Sequence, residues 1–451
     1  MDKRNKRIWL SGFAIVIFFT AVFALHGLLQ EPAVHTPLRH LFKTYEVSTD
    51  ENGAKCVNNS DKAFERIEAG KMNSWDAEHY KRIKETLYTT ERIECWAFFP
   101  LFSLVWRATG LDSLGIGILN CLLFAIGMLI MFKIFENKLP LWGFLLVLCV
   151  PYLVIFMMPY TEALFFLCIA AGLYGIIKEK YRLYFVGFLL ASMTKASASI
   201  LIPVFLFAEI ISATYHRKPL FFLARFGKRI LPVVLGLLCV MVFQKLRGAE
   251  NFHQFFISQK IWGKSLSLPT LPFTDWSSEG KSITDPFLLL YSIPMVVVLL
   301  RAFLRGLKRK EGEKITIWQY TRLISLLFLT GNIFIALLTQ HGGLYSLARY
   351  LLSTPFFVFL LFDTVKNRRN KIWEAVYAFV GLITVVLCIY NFVKADFAGT
   401  WLVMLGSLLA FFHRKFGKRV LYFALAAGIL LNICWTAYMF NCFLLDAWIF
   451  T

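Results

Sequence analysis

Six consecutive residues, Trp75-Asp76-Ala77-Glu78-His79-Tyr80, bring two carboxylates, an imidazole and two aromatic rings together in a polar stretch. If that stretch is helical, Asp76 and His79 share one face while Glu78 points elsewhere. A carboxylate set beside aromatic rings and lipid is partly desolvated, which suits it to take a proton from an attacking hydroxyl. The same residues also read as a helix start, because Asn73, Ser74 and Asp76 are all N-cap residue types. Spacing leaves both readings open.

Further chemistry-bearing residues are scattered along the chain. Lys195, in Ser192-Met193-Thr194-Lys195-Ala196-Ser197, lies between two apolar runs. An ionisable group at that depth is either a partner for a phosphate or a snorkelling interfacial lysine. Arg349-Tyr350 opens another apolar run and is a second phosphate candidate. Glu162, after Pro159-Tyr160-Thr161, either caps the helix that follows or accepts a hydrogen bond from a sugar hydroxyl. His341, next to Gly342-Gly343, reads as a loop residue. The segment 247–285 holds Trp262, Asp275, Trp276 and Glu279, and its indoles suit stacking on a sugar ring.

The elements that must position these groups are membrane helices. Of 451 residues, 58% are hydrophobic and only 17% charged, too few charges to cover a soluble protein of this length. Apolar runs fall at 8–29, 115–135, 141–158, 163–177, 183–194, 197–213, 230–246, 286–304, 321–339, 345–364, 372–393, 400–412 and 419–440. They predict an all-α polytopic bundle of about 11–13 spans forming one domain over residues 1–451. The run 8–29 is too long for a signal-peptide core and reads as an uncleaved first span.

Orientation follows from the basic residues. Arg4, Lys6 and Arg7 place the N-terminus inside, and alternation then gives basic inner loops at Lys133/Lys138, Lys178–Arg182, His216–Arg229, Arg301–Lys314, Lys366–Lys371 and Arg414–Arg419. The formal charge of +20 is explained by these loops and anionic lipid, with no nucleic acid required. The outer face collects the long loop 30–114, the 159–162 turn, the Thr194-Lys195 turn, the loop 247–285 and the 340–349 segment. Chemistry-bearing residues of five separated stretches therefore converge on one face. Within 30–114, Asp61–Ala69 and Asp76–Leu87 read as short amphipathic helices, and Trp96–Phe102 as an interfacial belt or re-entrant piece.

The nine cysteines are mostly scattered in apolar runs and show no metal-type spacing, so no metal is expected. Cys56 and Cys95 lie on the outer side, as a disulfide or as two free thiols. The chain has no P-loop, dinucleotide-binding glycine pattern, HExxH or GxSxG.

The order Trp75-Asp76-Ala77-Glu78-His79-Tyr80, Ala97-Phe98-Phe99-Pro100-Leu101-Phe102 and Pro159-Tyr160-Thr161-Glu162-Ala163-Leu164-Phe165, with Arg349-Tyr350 further on, resembles the PIG-V family of the GT-C superfamily. These are GPI mannosyltransferase II enzymes and their bacterial relatives. The sequence departs from the family at Thr194-Lys195-Ala196-Ser197, where the family carries an arginine followed by Ser-Asn-Gly. The resemblance implies an inverting mannosyltransferase that takes sugar from a polyprenyl- or dolichyl-phosphate carrier at the non-cytoplasmic face. It needs no cofactor, its acceptor is a glycan or glycolipid, and a partner membrane subunit is plausible by analogy. In that scheme Asp76 is the base, Glu78 and His79 orient or hydrogen-bond, Lys195 and Arg349 hold the phosphate, and Trp75, Phe98 and Phe99 line the site, with Glu162 and Tyr350 as further substrate-binding candidates. A bacterial plasma membrane fits the short Lys-rich loops. The competing readings are a lipid-linked sugar flippase, which asks for polar residues along several spans, and a non-catalytic assembly subunit, which does not depend on Asp76.

Overall fold

The computed structural model describes residues 3–42, 45–49, 55–59, 64–136, 138–212, 219–269, 284–308, 315–340, 344, 346–366, 398–447 and 449. The expected helical bundle is found. Among the described residues, six helices are long and apolar enough to cross a membrane, over Lys6–Leu28, Ser113–Ile134, Phe222–Leu246, Leu288–Gly306, Ile317–Thr339 and Lys418–Leu444. The chain is therefore a multi-pass membrane protein.

In chain order, α1 (Lys3–Leu28) and α2 (Pro32–Leu41) precede a two-stranded antiparallel ribbon, β1 (Tyr45–Thr49) and β2 (Lys55–Asn59), which the sequence had not suggested. Then come α3 (Asp76–Thr86), α4 (Pro100–Thr109), α5 (Ser113–Ile134), α6 (Leu141–Leu145), α7 (Glu162–Ile177), α8 (Tyr181–Thr194), α9 (Leu201–Ser212) and α10 (Pro219–Leu246). A short α11 (Gln254–Gln259) leads to α12 (Thr284–Leu307), α13 (Ile317–Thr339), α14 (Leu347–Leu352), α15 (Pro355–Lys366), α16 (Ala398–Phe412) and α17 (Lys418–Leu444). The expected helix over 61–69 does not form; its described part is extended up to a 3-10 turn at Ala69–Asn73. Trp96–Phe102 becomes the end of a 3-10 turn followed by α4. The apolar run 372–393 lies outside the described residues.

Several apolar runs are not continuous spans, and the breaks have physical causes. The run 141–158 splits into α6 and two 3-10 turns, Leu146–Cys149 and Leu153–Met157, around Pro151, which has no N–H to donate. This irregular backbone is buried, so its carbonyls need donors. Asn432 of α17 donates its side-chain amide to Leu148 O at 2.7 Å and Val150 O at 2.8 Å. Asn120 of α5 does the same for Met158 O at 2.6 Å and Tyr160 O at 2.9 Å. The run 345–364 breaks ahead of Pro355, between α14 and α15, and the polar Thr194-Lys195 turn separates α8 from a 3-10 turn and α9.

The hairpin α7–α8 sets the geometry of the site. Glu162 opens α7 and Thr194 closes α8, so antiparallel packing brings residues 162 and 195 to one end. The helices approach closely because glycines face each other: a Cβ on Gly187 would stand 2.5 Å from Gly172 N and 2.7 Å from Cys168 O. The opposite end is basic. There Glu209 pairs with Arg225 at 2.8 Å and accepts a hydrogen bond from Tyr320 at 2.6 Å, and Asp363 pairs with Arg322 at 2.6 Å. Lys138 and Lys366 lie 3.8 and 3.9 Å from the Trp318 ring centroid.

Gly187→Leu is expected to wedge α7 from α8. Its melting temperature, followed by fluorescence-detected size exclusion in detergent, should fall by the equivalent of about 1–3 kcal/mol or more. The same change at Gly227, which has open space around it, should leave melting nearly unchanged.

Candidate active site

Four charged side chains from four segments form one chain of ion pairs at the end opposite the basic loops. Lys195 Nζ is 2.7 Å from Glu162 Oε1, Arg349 Nε donates to the same oxygen at 2.6 Å, and Arg349 Nη1 is 2.7 Å from Asp76 Oδ2. Glu162 and Arg349 are buried, with side chains 1% and 4% exposed, whereas Asp76 keeps 25%. Asp76 is thus the most exposed member of the chain.

Asp76 is the first residue of α3, where a negative charge meets the positive end of the helix dipole. It is not the cap. The N-cap position falls on Trp75, whose side chain makes no capping hydrogen bond and whose φ 58° and ψ −127° are a backbone conformation that residues with side chains rarely adopt. Such strain is of order 1–3 kcal/mol and clusters at functional sites. The Asn73 amide instead donates back to Ala69 O and Gly70 O at 3.0 and 2.9 Å. Asp76 is left to Arg349.

The structure decides between alternatives left open by the sequence. Glu162 does not cap α7, whose N-cap position falls on Thr161; it is a buried counter-ion between Lys195 and Arg349, since either cation at that depth would otherwise stand unneutralised. Lys195 does not snorkel outward, being turned into the bundle with its side chain 13% exposed. Arg349 also lies over the Tyr160 ring, 4.6 Å from its centroid, and Lys195 lies 5.0 Å from the Tyr350 centroid. The Tyr80 and Thr161 hydroxyls, 3.5 Å apart, brace the side of the cluster.

The aromatic wall is built by α3, the segment before α4 and the turn after α11. His79 stacks on Phe98 with ring centroids 4.8 Å apart, and Trp262 meets both rings edge-on at 5.0 and 5.7 Å. Trp262 keeps 42% of its surface exposed, a partly open aromatic residue beside Asp76's helix. Trp75 is half-buried against the core. Phe99 is buried and contacts Phe255 at 5.0 Å, so it supports the wall from behind rather than lining the site. Glu78 points away and pairs with Arg82 on the same helix, so the structure does not bring it to the cluster. His341, Asp275, Trp276 and Glu279 lie outside the described residues.

Cys95 is a free, buried thiol, so the disulfide with Cys56 is not formed; the Cys56 side chain lies outside the described residues. Burial pushes the Cys95 thiol up to about 11, and its Sγ sits 3.8 Å from His79 Nδ1. His79, Glu94 and Cys95 offer metal-capable atoms within 4.8 Å of one another, a set invisible in spacing because it joins α3 to the 3-10 turn Ile93–Ala97. Arg82 and Arg92 stand 3.7 and 3.6 Å from Glu94, and a bound cation would have to displace them.

Sequence reasoning missed Tyr160, Thr161 and Lys264. The first two were signalled by their places in Pro159-Tyr160-Thr161-Glu162, and Lys264 by its place after Trp262-Gly263. Comparison of the chain with protein-family models, curated proteins and solved structures gives no match.

Glu162→Gln removes the charge that both buried cations share, and should lower stability by about 3–5 kcal/mol, read as a loss of melting temperature. Glu78→Gln, at an exposed pair, should shift it by less than about 1 kcal/mol. Burial holds the His79 imidazole below its usual 6.5, against the opposing pull of Asp76, Glu78 and Glu94. With the folded value lowered, the unfolded chain takes up the proton first, so this contribution is lost as pH falls through 6.5 towards the folded value. The melting temperature of wild type minus that of His79→Asn should therefore decline below pH 6.5 and stay level above it.

Proposed function

We propose that the protein is an inverting glycosyltransferase, a mannosyltransferase of GT-C type, which moves a sugar from a polyprenyl-phosphate carrier to a glycan or glycolipid hydroxyl. One observation carries the reading: Asp76, the most exposed member of a buried ion-pair chain, is fixed by Arg349 beside an aromatic wall that includes the partly exposed Trp262. The motif resemblance at Trp75–Tyr80, Ala97–Phe102 and Pro159–Phe165 supports the same reaction. The site end faces the non-cytoplasmic side of a bacterial plasma membrane, since the basic loops gather at the other end.

In the proposed step the acceptor oxygen attacks the anomeric carbon while the bond from that carbon to the phosphate oxygen breaks. The acceptor proton passes to Asp76 and the electron pair leaves with the lipid phosphate, whose charge is met by cations. Arg349 acts here mainly on Asp76: its Nε and Nη1 already serve Glu162 and Asp76, so it orients the base as well as facing the leaving group. His79 and Phe98 form the wall against which the acceptor is held. Glu78 has no part.

The transporter reading asks for polar side chains free along the spans. Among the described residues, the amides of Asn120 and Asn432 are taken by backbone carbonyls, and Glu209 and Asp363 by arginines. The assembly-subunit reading predicts no dependence on Asp76.

Sugar transfer in purified membranes from a labelled polyprenyl-phosphate mannose should be readily measured for wild type and fall about 100- to 10,000-fold in Asp76→Asn at matched expression. Full activity in the variant would remove Asp76 as the base. Transfer by neither would sink the enzyme reading with this donor.

A further inference from the structure

The ion-pair chain is electrically closed. Lys195 and Arg349 face Glu162 and Asp76, two cations against two carboxylates, so the cluster by itself offers an incoming phosphate no net attraction. A site for an anionic headgroup needs a further cation, and one is present. Lys264 Nζ lies 5.8 Å from the Tyr350 ring centroid, and the same ring lies 5.0 Å from Lys195 Nζ. No carboxylate pairs with Lys264 among the described residues.

Backbone on both sides of Lys264 fixes its place. After α11 a single 3-10 turn, Lys260–Trp262, ends at Gly263 with φ 67°, a left-handed conformation that glycine takes without strain. Gly263 N donates to Lys260 O at 3.0 Å and Lys264 N to Gln259 O at 3.2 Å. The turn sends Trp262 towards His79 and Phe98, and Lys264 towards Tyr350. Gln259 Nε2 donates to Ala97 O at 3.3 Å, and Ser267 N to Leu338 O at 2.8 Å, so the segment is tied to the wall at one end and to α13 at the other. One turn therefore carries both a stacking surface and a cation. Two ammonium groups 5.0 and 5.8 Å from one ring centroid, of which among the described residues only Lys195 has a carboxylate partner, make a surrounding that favours an anion.

We infer that Lys264 is the phosphate-anchoring cation: with Lys195 and Tyr350 it binds the phosphate of a lipid phosphate, the donor before transfer and the carrier after it. This rests on reading the site as the donor site. It also reassigns the work, since Arg349 is committed to Asp76 and Glu162 while Lys264 supplies the net charge.

The test is equilibrium binding of a long-chain polyprenyl phosphate, and of the uncharged polyprenol, to the purified full-length chain in lipid nanodiscs. Lys264→Gln should weaken polyprenyl phosphate binding about tenfold, leave polyprenol binding and melting temperature unchanged, and be largely rescued in Lys264→Arg. Unchanged phosphate binding in Lys264→Gln, or equal weakening of both lipids, overturns the inference and leaves the donor reading standing. A wild type that does not prefer the phosphate to the alcohol removes the donor reading and the inference with it. Inorganic phosphate that competes at concentrations near those of the lipid phosphate, in wild type but not in Lys264→Gln, would reassign the site to free phosphate.

Discussion

A single buried carboxylate, Glu162, gives the candidate site its shape. Its Oε1 receives Lys195 from the α8–α9 turn and Arg349 from α14, and Arg349 in turn reaches Asp76 on α3. Three segments meet at one oxygen atom, and a fourth joins them through Arg349. In an apolar bundle such a contact is directional in a way that leucine packing is not, because any displacement leaves a charge without its partner in low dielectric. The rest of the structure serves this arrangement: the glycine contacts bring α7 against α8, and the break before Pro355 frees α14 to present Arg349.

A second constraint acts on the backbone. The chain between α6 and α7 crosses the interior without regular helix, and every carbonyl there must find a donor inside the protein. Asn120 and Asn432 supply two each, reaching in from α5 and α17. The Asn120 pair ends at the carbonyl of Tyr160, the residue whose ring lies under Arg349. The asparagines are polar groups deep in an apolar bundle, yet what they serve is the position of the 159–162 turn.

The helical, membrane-crossing class was legible because hydropathy and basic clusters are averages over many residues. Lys195 and Arg349 were legible because charges in or between apolar runs are costly and so conspicuous, and Asp76 because it stands with His79 among aromatic residues in a polar stretch. What those charges touch was not legible. Glu162 read as a cap or sugar ligand because its partners lie 33 and 187 positions away. Glu78 sits in the same motif as Asp76, but helical rotation turned it to Arg82. The run 141–158 is as apolar as a span, and only tertiary donors decide that it need not be helical. Lys264 carried little signal because its significance depends on charge balance, which requires knowing who pairs with whom.

Trp75 holds a backbone conformation that glycine would adopt at no steric cost, directly before the residue that faces Arg349. The fold therefore carries a standing conformational tension at the hinge between a 3-10 turn and α3. Relaxing it by glycine would firm up the folded state locally while loosening the angle at which α3 sets out, so at this position greater stability and a better-aimed carboxylate pull in opposite directions.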